Sequence, residues 1–367
     1  MTRVLHLPTT VGGQAWGLAQ GERAIGLEPH VLSLYDNYIH YPVDYALHLE
    51  AKGAAGKLLG HLGAFLRFRA GFDAFHFNYG STLLHFLNRG ILAWDLPFYD
   101  RSARKIFTFN GCDARQKDRT VEMARALAMP AACLRDDCYG GMCNDGRLDR
   151  NRRRAIEKIE RHADHIFAVN PDLLSFLPQE KTSFLPYTVA DFATIAPKTT
   201  PFCKNGKVRI VHAPTQRGAK GSDHVLAALA TLAEEFPERL EVTVVEGMSH
   251  ADAIATYRTA DLFIDQVLVG WYGGVAVEVM KMGIPVACFI NPYHRDQIHP
   301  SMASGMPLVD IGPFDMVERL RPLLKEPEQL AEIGARSKEW VERWHDPVAI
   351  AALTAAAYRG EPVPGLA

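Results

Sequence analysis

The chain has 367 residues, 48% of them apolar, and a formal net charge of −2. That length suits two domains with separate cores, and the near-zero charge offers no global field to nucleic acid or a membrane. No apolar run reaches the ~18 residues of a membrane span, the N-terminal apolar stretch is too short for a signal peptide, and six cysteines in a chain this long make no disulfide framework, so the cytoplasm is the expected compartment.

In chain order, RVLHLP is the first predicted strand. The turn TTVGG follows, then the helical pattern QAWGLAQGERAIGL and the strand PHVLSL, the β-loop-α-β rhythm of a Rossmann-like sheet. GKLLGHLGAFLRFRAGF mixes Leu and Phe with Lys and Arg. It is expected to be a core helix with cationic edges, and an interfacial helix is the alternative. FDAFHFNYG and KIFTFNGCD are later strands. RLDRNRRRAIEKIERH is a basic helix, expected to be a solvated face, with a contact to phospholipid or a lipid diphosphate as the alternative. ADHIFAVNPDLLSFL and KTSFLPYTVAD close a first domain, residues 1–195.

Residues 196–207, APKTTPFCKNGK, read as a linker. The rhythm restarts in a second domain, 208–345. It takes VRIVHAP, LEVTVVEG, DLFIDQ and IPVACFI as strands, and SDHVLAALATLAEEF, SHADAIATYRTA and GGVAVEVMKMG as helices. A helical stretch broken at Pro327 and a last helix in 346–367 complete the chain.

The loops after these strands carry the chemistry. VHAPTQRGAKGSD hands a strand over to a helix N-terminus, where free N–H groups and the helix dipole favour an anion. Arg217 and Lys220 add fixed charge there; a plain basic surface turn is the alternative. In DQVLVGWYGGVAVEVMKMGIPV, Gly270, Gly273 and Gly274 allow close backbone approach, and Glu278 lies about one turn into the next helix. A carboxylate there suits two ribose hydroxyls, or simply complements the helix dipole. Trp271 and Tyr272 either flank a base or sugar or pack the wall.

Three stretches in order, TVGGQAWGLAQ, RGAKGSD and YGGVAVEVMKMGIPV, resemble the retaining GT-B glycosyltransferases of glycosyltransferase family four. YRTADLFID and RWHDPVAIAALTAAAY also fit. The resemblance implies an α/β protein of GT-B architecture: two Rossmann-like domains, a cleft between them, and a C-terminal helix crossing back to the first. It implies that Lys220 and Arg217 hold the diphosphate of a nucleotide-diphosphate-sugar and that Glu278 binds its ribose. Gly12 and Gly13 would bring the first turn to the donor. The backbone of Gly273 and Gly274 would cap it, with Thr215, Tyr272 and Val275 completing the contacts. Asn110 stands where the family often has a histidine, and Gly270 where it usually has a glutamate. Asn110 joins Lys220, Arg217 and Glu278 as the expected catalytic group. His76 and Asp113 are expected on the acceptor side, Asp113 alternatively as a helix cap.

The implied reaction transfers a sugar to a glycan, lipid-linked or other hydroxyl acceptor with retention. It needs no cofactor and no metal, involves no nucleic acid, and allows peripheral contact with the inner membrane surface. Two other readings remain open. One is a degenerate relative that binds sugar nucleotide or glycan without turnover, motivated by Gly270 and Asn110. The other is a nicotinamide-dependent oxidoreductase, weakened by the lack of a clean G-x-G-x-x-G. Cys112, Cys133, Cys138 and Cys143 offer four thiolates for a structural zinc, or a reduced surface loop.

Overall fold

In the computed structural model, residues 1–36, 39–134 and 138–364 are described. The chain divides into two compact units. One holds residues 1–119, 138–190 and 345–364; the other holds 120–134 and 191–344.

The first unit is built on seven strands: β1 (Arg3–Leu7), β2 (Glu28–Ser33), β3 (Tyr45–Ala46), β4 (Ala74–Asn78), β5 (Arg104–Phe109), β6 (His165–Ala168) and β7 (Thr182–Phe184). All neighbours are parallel, in the order β3-β2-β1-β4-β5-β6-β7. Strands covered on both faces must be apolar along their whole length, which is why RVLHL, AFHFN and RKIFTF read as near-continuous runs. The helices are α1 (Gln14–Ala24), α2 (Ala54–Phe68), α3 (Lys117–Ala126), whose later residues go with the second unit, and α4 (Arg147–His162).

The second unit has five parallel strands, β8 (Val208–His212), β9 (Leu240–Val244), β10 (Leu262–Ile264), β11 (Val286–Cys288) and β12 (Val309–Asp310), in the order β12-β11-β10-β8-β9. Its helices are α5 (Arg217–Lys220), α6 (Ser222–Glu235), α7 (His250–Tyr257), α8 (Gly274–Lys281), α9 (Pro292–Arg295), α10 (Pro300–Ser304), α11 (Met316–Lys325) and α12 (Gln329–Trp344).

The last helix, α13 (Pro347–Arg359), belongs to the first unit. It starts cleanly because Asp346 accepts the Val348 N–H at 3.0 Å and Pro347 occupies the first turn. Its alanine-rich face packs on α1, where a side chain on Gly21 would put Cβ 1.9 Å from the Pro347 carbonyl oxygen. Gly17, one turn earlier, is equally tight against the Val189 carbonyl at 2.4 Å. Gly17 of the Gly-rich first stretch and Gly21 just beyond it thus serve close packing.

Beneath this contact lies a fully buried polar network. Glu22 accepts from Tyr358 Oη at 2.6 Å, Thr354 Oγ1 at 2.9 Å and His6 Nε2 at 2.8 Å. His76 Nδ1 donates to Tyr358 Oη, and its Nε2 accepts from Thr108 Oγ1, both at 2.6 Å. His76 is therefore a satisfied core histidine, not an acceptor-side group. Burial, then the neighbouring His6, pushes its pKa well down.

Candidate functional site

In an open parallel sheet, ligands bind beyond the carboxyl ends of the strands, where the strand order reverses. In the second sheet that point falls between β8 and β10, since β9 lies on one side of β8 and β10, β11 and β12 on the other. The loops leaving these two strands are the basic loop and the glycine loop.

Lys220, at the end of α5, is ion-paired with Asp265, the first residue after β10. Asp265 is buried, and its second oxygen accepts the Gly273 N–H at 2.7 Å. A Cβ on Gly273 would lie 3.6 Å from Lys220 Nζ. The ammonium is thereby held beside the N-terminus of α8. Ala276 N–H is taken by the Gly273 carbonyl, while Gly274 and Val275, too early in the helix for an intrahelical bond, present N–H groups with no partner among the described residues. The loop between is fastened by buried Gln266. Its amide donates to the carbonyls of Trp271 at 2.6 Å and Phe289 at 3.3 Å, and its oxygen accepts the Leu268 and Val269 N–H groups.

Glu278 lies one turn into α8. It is 9% exposed and has no hydrogen-bond partner among the described residues. Burial, aided by the negative charge of Asp191, raises its pKa to about 7. A buried carboxylate without a partner is unfavourable unless a ligand supplies donors. One cation, two free N–H groups and one hydroxyl acceptor are thus arranged along the first turns of a single helix, which suits an anion joined to a diol.

Other expected residues fall elsewhere. Arg217 is exposed and forms a fork–fork pair with Glu246, both bonds 2.7 Å, rather than joining Lys220. Thr215 is exposed in the loop before α5. Tyr272 is 1% exposed, packed on Trp271 and edge-on to Trp340. Its side chain is core, which corrects the expectation of a donor contact. Gly270 has φ +84°, and a Cβ there would meet Asn291 Cβ at 2.8 Å, so no glutamate fits at this position. Sequence reading missed Asp265, Gln266 and Asp191. Only Asp265 left a signal, an acid closing the strand DLFID.

In the first unit, Gly12 (φ +64°) leaves its turn open, whereas a Cβ on Gly13 would meet Tyr41 at 2.9 Å and the Ala190 N at 3.2 Å. Gly13 is a packing glycine. Asn110 Oδ1 accepts the Tyr79 N–H at 3.2 Å. Asp113 accepts the backbone N–H groups of Asn110 and Gly111, the turn-capping role, while burial raises its pKa to about 6. Asp113 also lines a cavity of about 350 Å³ with Tyr79, His85, Phe86, Cys112 and Tyr139. Among the described residues the only group of three ligating side chains within metal reach is His6, Glu22 and His76. Among the described residues no three of Cys112, Cys133, Cys138 and Cys143 bring their sulfurs within 4.8 Å of one another, so the geometry does not support the zinc reading.

No family model and no curated protein sequence matches the chain. Solved structures do. The sucrose-phosphate synthase of Thermosynechococcus elongatus is similar at 16% identity and a TM-score of 0.64, over 98% of each chain. Anabaena HepE, solved with UDP and glucose, is similar at 13% identity and a TM-score of 0.62, over 98% of this chain and 100% of that one. WaaG, a glycosyltransferase involved in lipopolysaccharide biosynthesis, is similar at 12% identity and a TM-score of 0.58, again over 98% and 100%. At these identities the likeness is one of fold: the chain has the GT-B fold.

Proposed function

We propose that this protein is a retaining glycosyltransferase of the family-four type. In this reading the second unit binds a nucleotide-diphosphate-sugar and the first unit binds a glycan, lipid-linked or other hydroxyl acceptor. The observation that carries it is the row of Lys220, the free N–H groups of Gly274 and Val275, and unpartnered Glu278 at the switch point of the second sheet. Lys220 and the N–H groups would take the diphosphate, and Glu278 the ribose hydroxyls. The UDP and UDP-glucose in solved HepE structures agree with such a ligand.

Transfer breaks the bond from the sugar C1 to the diphosphate oxygen, and that oxygen keeps the electron pair. The acceptor hydroxyl attacks C1 from the same face, and its proton passes to the departing phosphate. Lys220 and the α8 N–H groups stabilise the charge that develops there; positioning of donor and acceptor supplies the rest. No metal or cofactor takes part, and the setting is the cytoplasm. Gly270 supports a second reading, in which the protein binds the sugar nucleotide without turning it over, because the family's glutamate cannot be housed there.

Thermal melting with UDP, GDP, CMP, ADP and NAD, each at millimolar concentration, tests the proposal. A ligand at about 100 times its dissociation constant stabilises by about 2.7 kcal/mol. The expected result is a shift with one nucleoside diphosphate, followed by acceptor-dependent release of that diphosphate from its sugar conjugates. A shift with NAD alone, or with none of the five, overturns it. Binding without release selects the second reading.

A further inference from the structure

Two tyrosines meet in the first unit's cavity of about 350 Å³. Tyr79 follows β4 directly, Tyr139 comes from the segment before α4, and their hydroxyls are 3.1 Å apart. Both have left-handed backbone, with φ +57° and +52°. That conformation is unfavourable for a bulky side chain. It persists only where neighbours hold it, and it clusters where ligands bind. Asn110 holds Tyr79 by accepting its N–H, and the Arg152 guanidinium lies 5.4 Å from the centre of the Tyr139 ring. Phe86 supplies a third ring, packed on His61 at 4.7 Å and bridged to Ile91.

The polar lining suits hydroxyls better than a phosphate. His85 Nδ1 is buried with no hydrogen-bond partner among the described residues. Burial, then the charge of Lys158, lowers its pKa to about 4, so the ring is neutral at pH 7. One tyrosine hydroxyl donates to the other, which leaves a single O–H for a ligand. Ser81 and Asn88 add further polar groups. Arg89, an exposed residue, is the one permanent cation among the described lining residues. On α4, Arg152 is paired with Asp149 and Arg153 with Asp118. Asp113, the one carboxylate of the lining, is mostly ionised at neutral pH and opposes a second anion.

We infer that this cavity holds a pyranose ring: the acceptor ends in an uncharged sugar, and the protein extends a glycan rather than priming a phosphorylated lipid. The inference rests on the reading of the first unit as the acceptor unit. A pyranose has an apolar C–H face that stacks on aromatic rings and a rim of hydroxyls that both donate and accept. Three aromatic rings, His85, Ser81, Asn88 and one tyrosine O–H match that combination. A phosphate needs cations around it and would meet Asp113 instead. The volume lies at the small end of ligand sites, with room for one or two sugar rings. The reaction that supplies such an acceptor is itself a glycosyl transfer, because the sugar at its end must already be in place.

Saturation-transfer NMR on the full chain, without nucleotide, tests this. The probes are the methyl glycosides of glucose, galactose, mannose and N-acetylglucosamine, with farnesyl phosphate as the lipid-phosphate probe. At least one glycoside is expected to bind, and farnesyl phosphate is not. Tyr139→Gly should weaken glycoside binding about tenfold or more by removing an aromatic wall. Glycine sits readily at φ +52°, so this variant should melt no lower than wild type. Tyr139→Phe, which keeps the ring, should retain most of the affinity, and His85→Leu should lose it without a change of bulk. Binding of farnesyl phosphate in place of the glycosides overturns the inference. So does the absence of glycoside binding, or an affinity unchanged in both Tyr139→Gly and His85→Leu. A nucleoside diphosphate melting shift without glycoside binding sinks this inference and leaves the transferase reading standing. Glycoside binding with no nucleotide shift does the reverse, keeping the cavity as a sugar site.

Discussion

Lys220 and Asp265 form an ion pair in which the carboxylate is completely buried and also fixes the Gly273 N–H at 2.7 Å. The lysine proposed to meet the donor is therefore also the partner of a buried charge.

Lys220→Met is accordingly expected to lower stability as well as donor binding. Removing one member of a buried pair typically costs about 3–5 kcal/mol, because the remaining charge is left uncompensated. Adding Asp265→Asn should restore most of the melting temperature without restoring the nucleotide-dependent shift. Melting curves of the single and double variants, with and without the nucleoside diphosphate, separate the two effects. If the single variant melts like wild type, the ion pair is not structural.

Glu278 should set a pH dependence. Its pKa of about 7 lies above the ordinary 4.5, so the folded state holds its proton where the unfolded state has lost it. Stability falls as pH rises from about 4.5 to 7 and stays low above that. Glu278→Gln, which carries no charge, is expected to gain about 3 kcal/mol at pH 8 and little at pH 5. Melting temperature against pH for the two proteins is the measurement; parallel curves would show that Glu278 is not the titrating group.

Donor affinity should move the other way. Ribose hydroxyls donate, and the ionised carboxylate accepts better than the acid. Dissociation constants for the nucleoside diphosphate are expected to fall as pH rises through 7, with the slope lost in Glu278→Gln. Isothermal titration across that range checks it; an unchanged slope in the variant would move the ribose contact away from Glu278.

Placing at position 270 the glutamate usual in family four should fail. Gly270→Glu asks for a side chain at φ +84° with Cβ 2.8 Å from Asn291. Left-handed backbone and overpacking each cost about 1–3 kcal/mol. The variant should melt well below wild type, with no gain in turnover.

Gly21→Ala is expected to destabilise the first unit, although alanine favours helix by about 1 kcal/mol. The added carbon would sit 1.9 Å from the Pro347 carbonyl, pushing α13 off α1. A lower denaturant midpoint is the expected readout. A raised one would show that the two helices do not approach so closely.

Much of this architecture can be read in the residues. Parallel strands such as VRIVH stand out because both faces are buried, and the loops after β8 and β10 announce themselves through glycine and basic residues. Other features depend on which neighbour a strand or helix meets. Glu246 captures Arg217 because β9 pairs in parallel with β8. Tyr272 looks like a loop aromatic until Trp340, far along the chain, covers it. His76 alternates with Phe75 and Phe77 but faces a second covered side of the sheet. On α2 the apolar residues run nearly all round the helix, so periodicity alone could not say which side turns inward.

The buried network also sets an order of events. Glu22 and Tyr358 are separated by 336 positions, and every residue of the second unit after Asp191 lies between them in the chain. A ribosome makes that intervening unit before it makes α13. The β8–β12 sheet can finish folding while Glu22 and His76 still await their tyrosine. The first half of the chain to be made is thus the last to be completed, and it stays open to quality-control factors until the final helix arrives.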